Sequence, residues 1–348
     1  MTPTVYFGVD FHARVQTVAY CETANGEIHF RELDHRKDVV RAFYAQFSGD
    51  VVVGLETSGY SPWFEQMLEE LGHTVWLGHA AEIRRLANRR QKNDRRDAEL
   101  ILDLLLKGDF PSIHRPTPQS LEILRMLRYR HRMVKMRTMI VNNLQALAIG
   151  SGLSLQSRLL TRPGRARLLA TQMSPVMSRQ REEWLSLLDN LNARIASVVK
   201  WLEQQAQTDS KVQLLRTHPG LGLLTSLGLV HSMDPVTRFG NQRKVAAYFG
   251  MEPMERSSAE KKRYIGISKA GSRLVRFLLV EAAQTAARND QELKRFYQRL
   301  VAKRGRPKAL VAVGRKLLTR SYIMLRDDID YAEFLRRGVE ARLARKDA

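Results

Sequence analysis

The chain has 348 residues, long enough for two domains with separate cores or for one domain and a long helical extension. Lys and Arg number 57 against 36 Asp and Glu, a formal net charge of +21, and a field of that sign attracts phosphate polymers or anionic membrane. Basic residues are spread over several segments and no apolar run of about 18 residues or amphipathic anchor occurs, which argues against a membrane and for a nucleic-acid partner.

From the N-terminus, three strand-like runs are predicted at Val5 to Asp10, Val15 to Glu22 and Glu27 to Leu33, the last two joined by the turn Thr23-Ala24-Asn25-Gly26. A helix over His35 to Phe47, a strand at 51 to 56, a helix from Pro62 to Leu71, a strand at Thr74 to Leu77 and a helix from Ala80 follow. A three-strand meander followed by alternating helix and strand is the order of an RNase H-like α/β layer fold. The start, Met1-Thr2-Pro3-Thr4-Val5, enters a strand pattern at once without a secretion signal, so a cytoplasmic protein is expected. With Cys21 alone and no Cys/His cluster of zinc spacing, there is no internal disulfide and any metal is expected on oxygen ligands.

Beyond Gln119 the pattern turns to long helices without strand candidates. Trp184, Leu188, Leu191, Ile195, Val198 and Leu202 follow an a/d spacing, with a looser seam of Leu124, Leu127, Val134, Val141 and Leu144 before it and a Gly/Ser/Arg-rich connection from Gly150 to Gly164. An antiparallel helical arm or a dimerising coiled coil is expected. A further domain starts near Leu214 and reads as wholly helical to Asp327, and the tail from Arg336 reads as polar and frayed. The expected division is therefore 1–115 (RNase H-like), 116–210 (long helices), 211–330 (helical, all-α) and 331–348 (charged tail).

In so basic a chain, the placement of acid is informative. Asp10 and Glu56 each end an apolar strand, where carboxylates are rarely buried without a partner, and Asp94 and Asp97 share a helix face at i and i+3. Breaking or joining a phosphodiester requires neutralisation of phosphate charge, which divalent ions on such carboxylates supply, and Mg²⁺ suits oxygen ligands. The bland alternative makes Asp94 the helix N-cap and Asp97 a residue favoured by the helix dipole. Between Glu255 and Arg276, seven Lys or Arg against two Glu surround Ser257 and Ser258. Serine attacks phosphorus only with a base, a metal or a desolvated cationic setting, so composition alone favours a phosphate-contacting or capping serine.

The series Gly8-Val9-Asp10, Leu55-Glu56-Thr57-Ser58-Gly59-Tyr60, Lys92-Asn93-Asp94-Arg95-Arg96-Asp97-Ala98, Pro219-Gly220-Leu221-Gly222, Phe249-Gly250-Met251-Glu252-Pro253, Ser257-Ser258 and Ile267-Ser268-Lys269-Ala270-Gly271 resembles the DEDD transposases of insertion-sequence family 110. The resemblance spans roughly residues 5 to 290. It implies a RuvC-like nuclease domain whose acids Asp10, Glu56, Asp94 and Asp97 bind Mg²⁺, joined by a coiled coil to a transposase domain with Ser258 as nucleophile. A transient covalent serine-DNA link is also implied. So is guidance by a structured noncoding bridge RNA that pairs with donor and target DNA. Dimers that pair into a tetramer, with acids and serine from different protomers, complete the expectation for a nucleoid-associated bacterial or archaeal enzyme. Two features depart from the pattern: Ala259 stands where glycine is common, and Ser257 adjoins Ser258.

Basic residues Arg84, Arg85, Arg89, Arg90, Lys92, Arg95 and Arg96 crowd the second acid pair, and Arg125, Arg128 and Arg132 extend that character to the first long helix. Lys261, Lys262, Arg263 and Lys269 flank the serines, and Gly220 and Gly222 resemble a phosphate-holding hairpin, or else a plain interhelical turn. All these are candidate nucleic-acid contacts. Tyr60, Trp63 and Trp76 are candidates for base stacking or for core packing. The competing functions are a RuvC-like nuclease or junction resolvase using water, and a non-catalytic RNA-binding scaffold.

Overall fold

In the computed structural model, which describes residues 4–86, 93–153, 161–255 and 264–344, the chain divides into two units, Met1–Arg115 and Pro116–Ala348, taken in turn. The first is organised by β1 (Val5–Phe11), whose odd residues Val5, Phe7, Val9 and Phe11 are buried in one core. The even positions Tyr6, Gly8 and Asp10 face the opposite side of the sheet, as period-2 geometry requires. β2 (Val15–Glu22) and β3 (Ile28–Asp34) complete an antiparallel meander, with Gly26 supplying a positive φ of 73° in the turn. α1 (Lys37–Tyr44) leads to β4 (Val51–Glu56), parallel to β1, and α2 (Pro62–Glu70) leads to β5 (Thr74–Gly78), parallel to β4. The sheet order is β3-β2-β1-β4-β5, a mixed arrangement consistent with the RNase H-like layer. α3 (Ala80–Leu86) and α4 (Asp94–Leu106) follow.

The expected helix over His35 to Phe47 is shorter at both ends. His35 packs its ring on Phe11 and Trp63, and Phe47 packs on Phe7 and Tyr20. Apolar periodicity thus runs past the helix because flanking residues enter the same core without helical backbone.

In the second unit, α5 (Pro118–Gly150) and α7 (Pro175–Thr208) pack on one another, with α6 (Arg162–Ala170) between them in sequence. Both begin with proline at the first turn behind a Thr or Ser cap, Thr117 and Ser174, a combination that starts a helix cleanly. They are antiparallel: Leu124 and Leu127 of α5 share a core with Leu202 and Ala206 of α7, while Gly150 lies near Met177. The seam differs from the heptad expectation by one residue in places. Leu185 is buried where Trp184 is half-buried, and Met133 and Ile140 are buried ahead of Val134 and Val141. Straight helices of 3.6 residues per turn drift against a 3.5 repeat, which moves the buried line.

α8 (Ser210–Arg216), α9 (Leu223–Met233), α10 (Gln242–Tyr248), α11 (Arg273–Asn289), α12 (Gln291–Arg304) and α13 (Arg306–Asp327) enclose the larger core. The structure departs from expectation at two places. The region from Leu214 to Asp327 is not wholly helical: β6 (Pro253–Glu255) and β7 (Tyr264–Ile267) form an antiparallel pair. Strands of three and four residues are too short to print an alternation. The stretch from Arg336 is also not a frayed tail, because α14 (Tyr331–Ala344) runs through it. Arg336 and Arg337 pair with Glu333, and Arg336 with Glu340, at helical i, i+3 and i, i+4 spacing.

Candidate active site

Two glycines set the distance between α4 and the sheet. A Cβ on Gly8 would lie 2.2 Å from the Ala98 carbonyl oxygen and 2.4 Å from the Leu102 nitrogen, and one on Gly54 would lie 2.7 Å from Leu105 Cδ1. Their absence lets the helix backbone rest almost on β1. Because Ala98 and Leu102 cover Gly8, the earlier turn that carries Asp94 and Asp97 overhangs Asp10, two residues further along the strand. Asn93, not Asp94, caps the helix, its side chain accepting from the Arg95 amide. Asp94 and Asp97 therefore stand in the first turn without capping duty.

The acids meet on an unexpected residue. His12 Nε2 lies 3.1 Å from Asp10 Oδ2 and 3.5 Å from Asp94 Oδ2, and the three ligand atoms of Asp10, His12 and Asp94 all lie within 4.8 Å of one another. Burial raises the Asp10 pKa, His12 opposes that shift, and the nearby negative charges of Asp94 and Asp97 add to it. A carboxylate kept from ionising comfortably by like charges gains from a cation placed among them. Two carboxylates and an imidazole nitrogen at this spacing are a donor set that fits a divalent ion.

Glu56 occupies the end of β4 next to Leu55, the register partner of Val9, so it is level with Asp10 on the neighbouring strand. It is held by a 3.2 Å ion pair to Arg84 and is absent from the Asp10, His12 and Asp94 group. Of the other basic residues here, Arg85 pairs with Glu82 at 2.6 Å, Arg95 lies 3.9 Å over the Phe30 ring, and Arg96 is exposed. Arg89, Arg90 and Lys92 lie outside the described residues. Trp63 packs against Phe11 and Phe64, whereas Tyr60 is 66% exposed.

In the second unit, Ser257, Ser258, Lys261, Lys262 and Arg263 lie outside the described residues. Their flanks are closely fitted. A Cβ on Gly271 would lie 2.0 Å from the Tyr248 carbonyl oxygen, and one on Gly250 2.3 Å from the Ala270 nitrogen and oxygen. Arg276 donates to the Phe249 and Ala270 carbonyls. Between these contacts Lys269 takes a left-handed φ of 59°, a conformation that costs an L-residue about 1–2 kcal/mol. Arg125, Arg128 and Arg132 lie on one face of α5 at i, i+3 and i+7, and burial together with the charges of Arg125 and Arg132 lowers the Arg128 pKa.

Gly220 and Gly222 separate in role. Gly220 is buried with its amide donating to His218 Nδ1 at 3.0 Å, and a Cβ there would lie 2.4 Å from Ala286 Cβ, so this glycine serves helix packing. Exposed Gly222 is the N-cap of α9. Nearby stands an ionic cluster that sequence reasoning missed. Asp290 caps α12 through the Leu293 amide, accepts from Arg320 Nη1 at 2.5 Å and from the Tyr331 hydroxyl, and has His218 Nε2 at 3.8 Å. Its members come from four separate elements, so no spacing exposes it. His12 did have a signal: in Asp10-Phe11-His12, positions i and i+2 of a strand end share a face.

Comparison with known proteins covers both units. A family model described as Transposase IS116/IS110/IS902 family matches residues 212–298, and the transposase model for IS110-type DEDD proteins matches residues 7–148. The chain is similar to the transposase for insertion sequence element IS1111A of Coxiella burnetii, 28% identical over 233 residues that make up 65% of this chain and 64% of that protein. The match thus spans less than two thirds of the Coxiella relative. A probable family 20 transposase of Pseudomonas aeruginosa is 28% identical over 289 residues, 79% of this chain and 83% of that protein. The transposase for insertion sequence element IS1328 of Yersinia enterocolitica is 26% identical over 242 residues, 67% and 70% of the two chains.

Proposed function

Because the chain belongs to the IS110 family of DEDD transposases, we propose that it breaks and rejoins DNA strands of an insertion sequence, using Asp10, Glu56, Asp94 and Asp97 for Mg²⁺ and Ser258 as the nucleophile. The convergence of Asp10 and Asp94 at a strand end, under a helix seated on Gly8, is the observation that carries this reading. A divalent ion on these carboxylates would supply neutralisation of charge on the phosphate.

Asp10, half-buried and crowded by like charge, provides the fixed oxygen at the sheet, and Asp94 and Asp97 provide a second pair from the helix. Glu56 joins them when its carboxylate leaves Arg84. The Ser258 oxygen then attacks phosphorus as the bond to the departing deoxyribose oxygen breaks. The proton lost by the serine is balanced by the one that the leaving oxygen gains. Storing the strand as a phosphoserine ester conserves the bond for rejoining, in the reverse attack by the hydroxyl of another strand.

The cationic face of α5 and the basic residues near Ser258 suit phosphate backbones, of double-stranded donor and target DNA and of a bridge-type noncoding RNA. The long helices α5 and α7 suit a coiled-coil arm in a dimer that pairs into a tetramer. The test is recombination of matched DNA by purified protein with RNA transcribed from the flanks of its gene. Ser258→Ala should retain DNA binding and lose the covalent protein-DNA adduct seen on denaturing gels, with Ser257→Ala as the neighbouring control. Hydrolysed ends without an adduct in the wild type would instead mean attack by water.

A further inference from the structure

We propose that His12 is a ligand of this cation centre, its Nε2 joining the Asp10 and Asp94 carboxylates, so that the site is a mixed nitrogen and oxygen one holding Mn²⁺ in preference to Mg²⁺. The inference rests on the reading of the acids as a cation site and concerns what completes it.

The geometry is that of a ligand set. Adjacent corners of an octahedron with bonds of about 2.1 Å are about 3 Å apart. His12 Nε2 stands 3.1 Å from one carboxylate oxygen and 3.5 Å from the other. Its position is fixed from two sides. The His12 amide donates to the Val15 carbonyl at 3.0 Å, closing the turn between β1 and β2. Phe11 is buried on the opposite face of the strand, with its ring centroid 4.5 Å from that of His35 and 5.2 Å from that of Phe64. Anchoring Phe11 in the core fixes the roll of the strand end, and so presents Asp10 and His12 together to α4.

Donor chemistry then sets the ion. Mg²⁺ favours all-oxygen surroundings and sheds water reluctantly, whereas imidazole nitrogen is a ligand that transition ions accept. Mn²⁺ shares the octahedral geometry and carboxylate tolerance of Mg²⁺ and, although lowest in the first-row affinity series, is a transition ion that accepts an imidazole nitrogen.

The experiment is pulsed electron paramagnetic resonance of the full-length protein loaded with Mn²⁺ in otherwise metal-free buffer. Coupling from a directly bound nitrogen is expected in the wild type, with its loss in His12→Ala and His12→Gln. Both variants should bind Mn²⁺ about tenfold or more weakly, with Mg²⁺ affinity by competition changed less than about threefold. Should a variant fail to fold, as judged by circular dichroism, the wild-type nitrogen coupling and its displacement by excess Mg²⁺ still decide. Mn²⁺ that is held by the wild type, lost in Asp10→Asn and free of nitrogen coupling would overturn the role of His12 while leaving the acid centre intact. Failure of the wild type to retain Mn²⁺, or unchanged retention in Asp10→Asn, would overturn both.

Discussion

Asp10 and Asp290 make a controlled comparison within one chain, since each is an aspartate with a histidine and further charged groups around it. At Asp290, burial disfavours the charge, yet the Leu293 amide, the Tyr331 hydroxyl and Arg320 outweigh it and hold the carboxyl below its usual range. At Asp10, burial and the neighbouring acids prevail over His12, and the carboxyl is pushed up. Every oxygen of Asp290 has a donor, and the cluster ties the His218 turn, α12, α13 and α14 together. The group around Asp10 is short of positive charge. A satisfied ionic cluster holds structure, whereas an unbalanced one is poised for a ligand.

The largest effect should come from removing a partner of the satisfied cluster. Arg320→Ala leaves the buried Asp290 without its guanidinium partner, and a loss of about 3–5 kcal/mol is expected by urea denaturation. If the loss were under about 1 kcal/mol, a level typical of exposed pairs, the contrast would collapse.

His218 sharpens the same side through pH. Burial, with the Arg320 charge, lowers its pKa to about 4, against about 6.5 in the unfolded chain. The unfolded state takes up the proton first as pH falls. Stability should therefore decline from about pH 6.5 to about pH 4 and then level, by up to about 3 kcal/mol relative to His218→Gln measured over the same range.

On the other side, Gly8→Ala forces a methyl into the backbone of α4. A loss of about 1–3 kcal/mol is expected, along with weakened Mn²⁺ binding by calorimetry, because the turn bearing Asp94 is displaced. Retention of both would show that the close seat of the helix is not what assembles the acids.

The smallest effect has the opposite sign. With its folded pKa raised, Asp10 costs stability as the pH rises above its unfolded value. Metal-free Asp10→Asn should melt slightly higher than the wild type in a thermal scan. It should also lose cation binding. A lower melting temperature would mean that Asp10 is a structural residue like Asp290.

Much of the first unit is legible along the chain because its signals are local. Strand alternation in Val5–Phe11, the Asn25-Gly26 turn and the proline opening α2 each act within a few residues. The acids at strand ends stand out for the same reason, since a carboxylate after an apolar run is locally anomalous. The helix of α14 escaped notice because its supporting pairs among Glu333, Arg336, Arg337 and Glu340 look from composition like an ordinary charged tail.

Periodicity, caps and turn residues, set by backbone sterics and local hydrogen bonds, determined the order of the elements and which acids were out of place. Tertiary packing alone decided that Asp94 meets Asp10 and His12, that Glu56 is held by Arg84, and that Asp290 gathers four elements into one buried cluster. Each of those outcomes joins residues far apart along the chain at separations of a few ångströms. Such distances follow from strand register and from how closely a helix can approach a glycine, neither of which is expressed in the spacing of residues along a sequence.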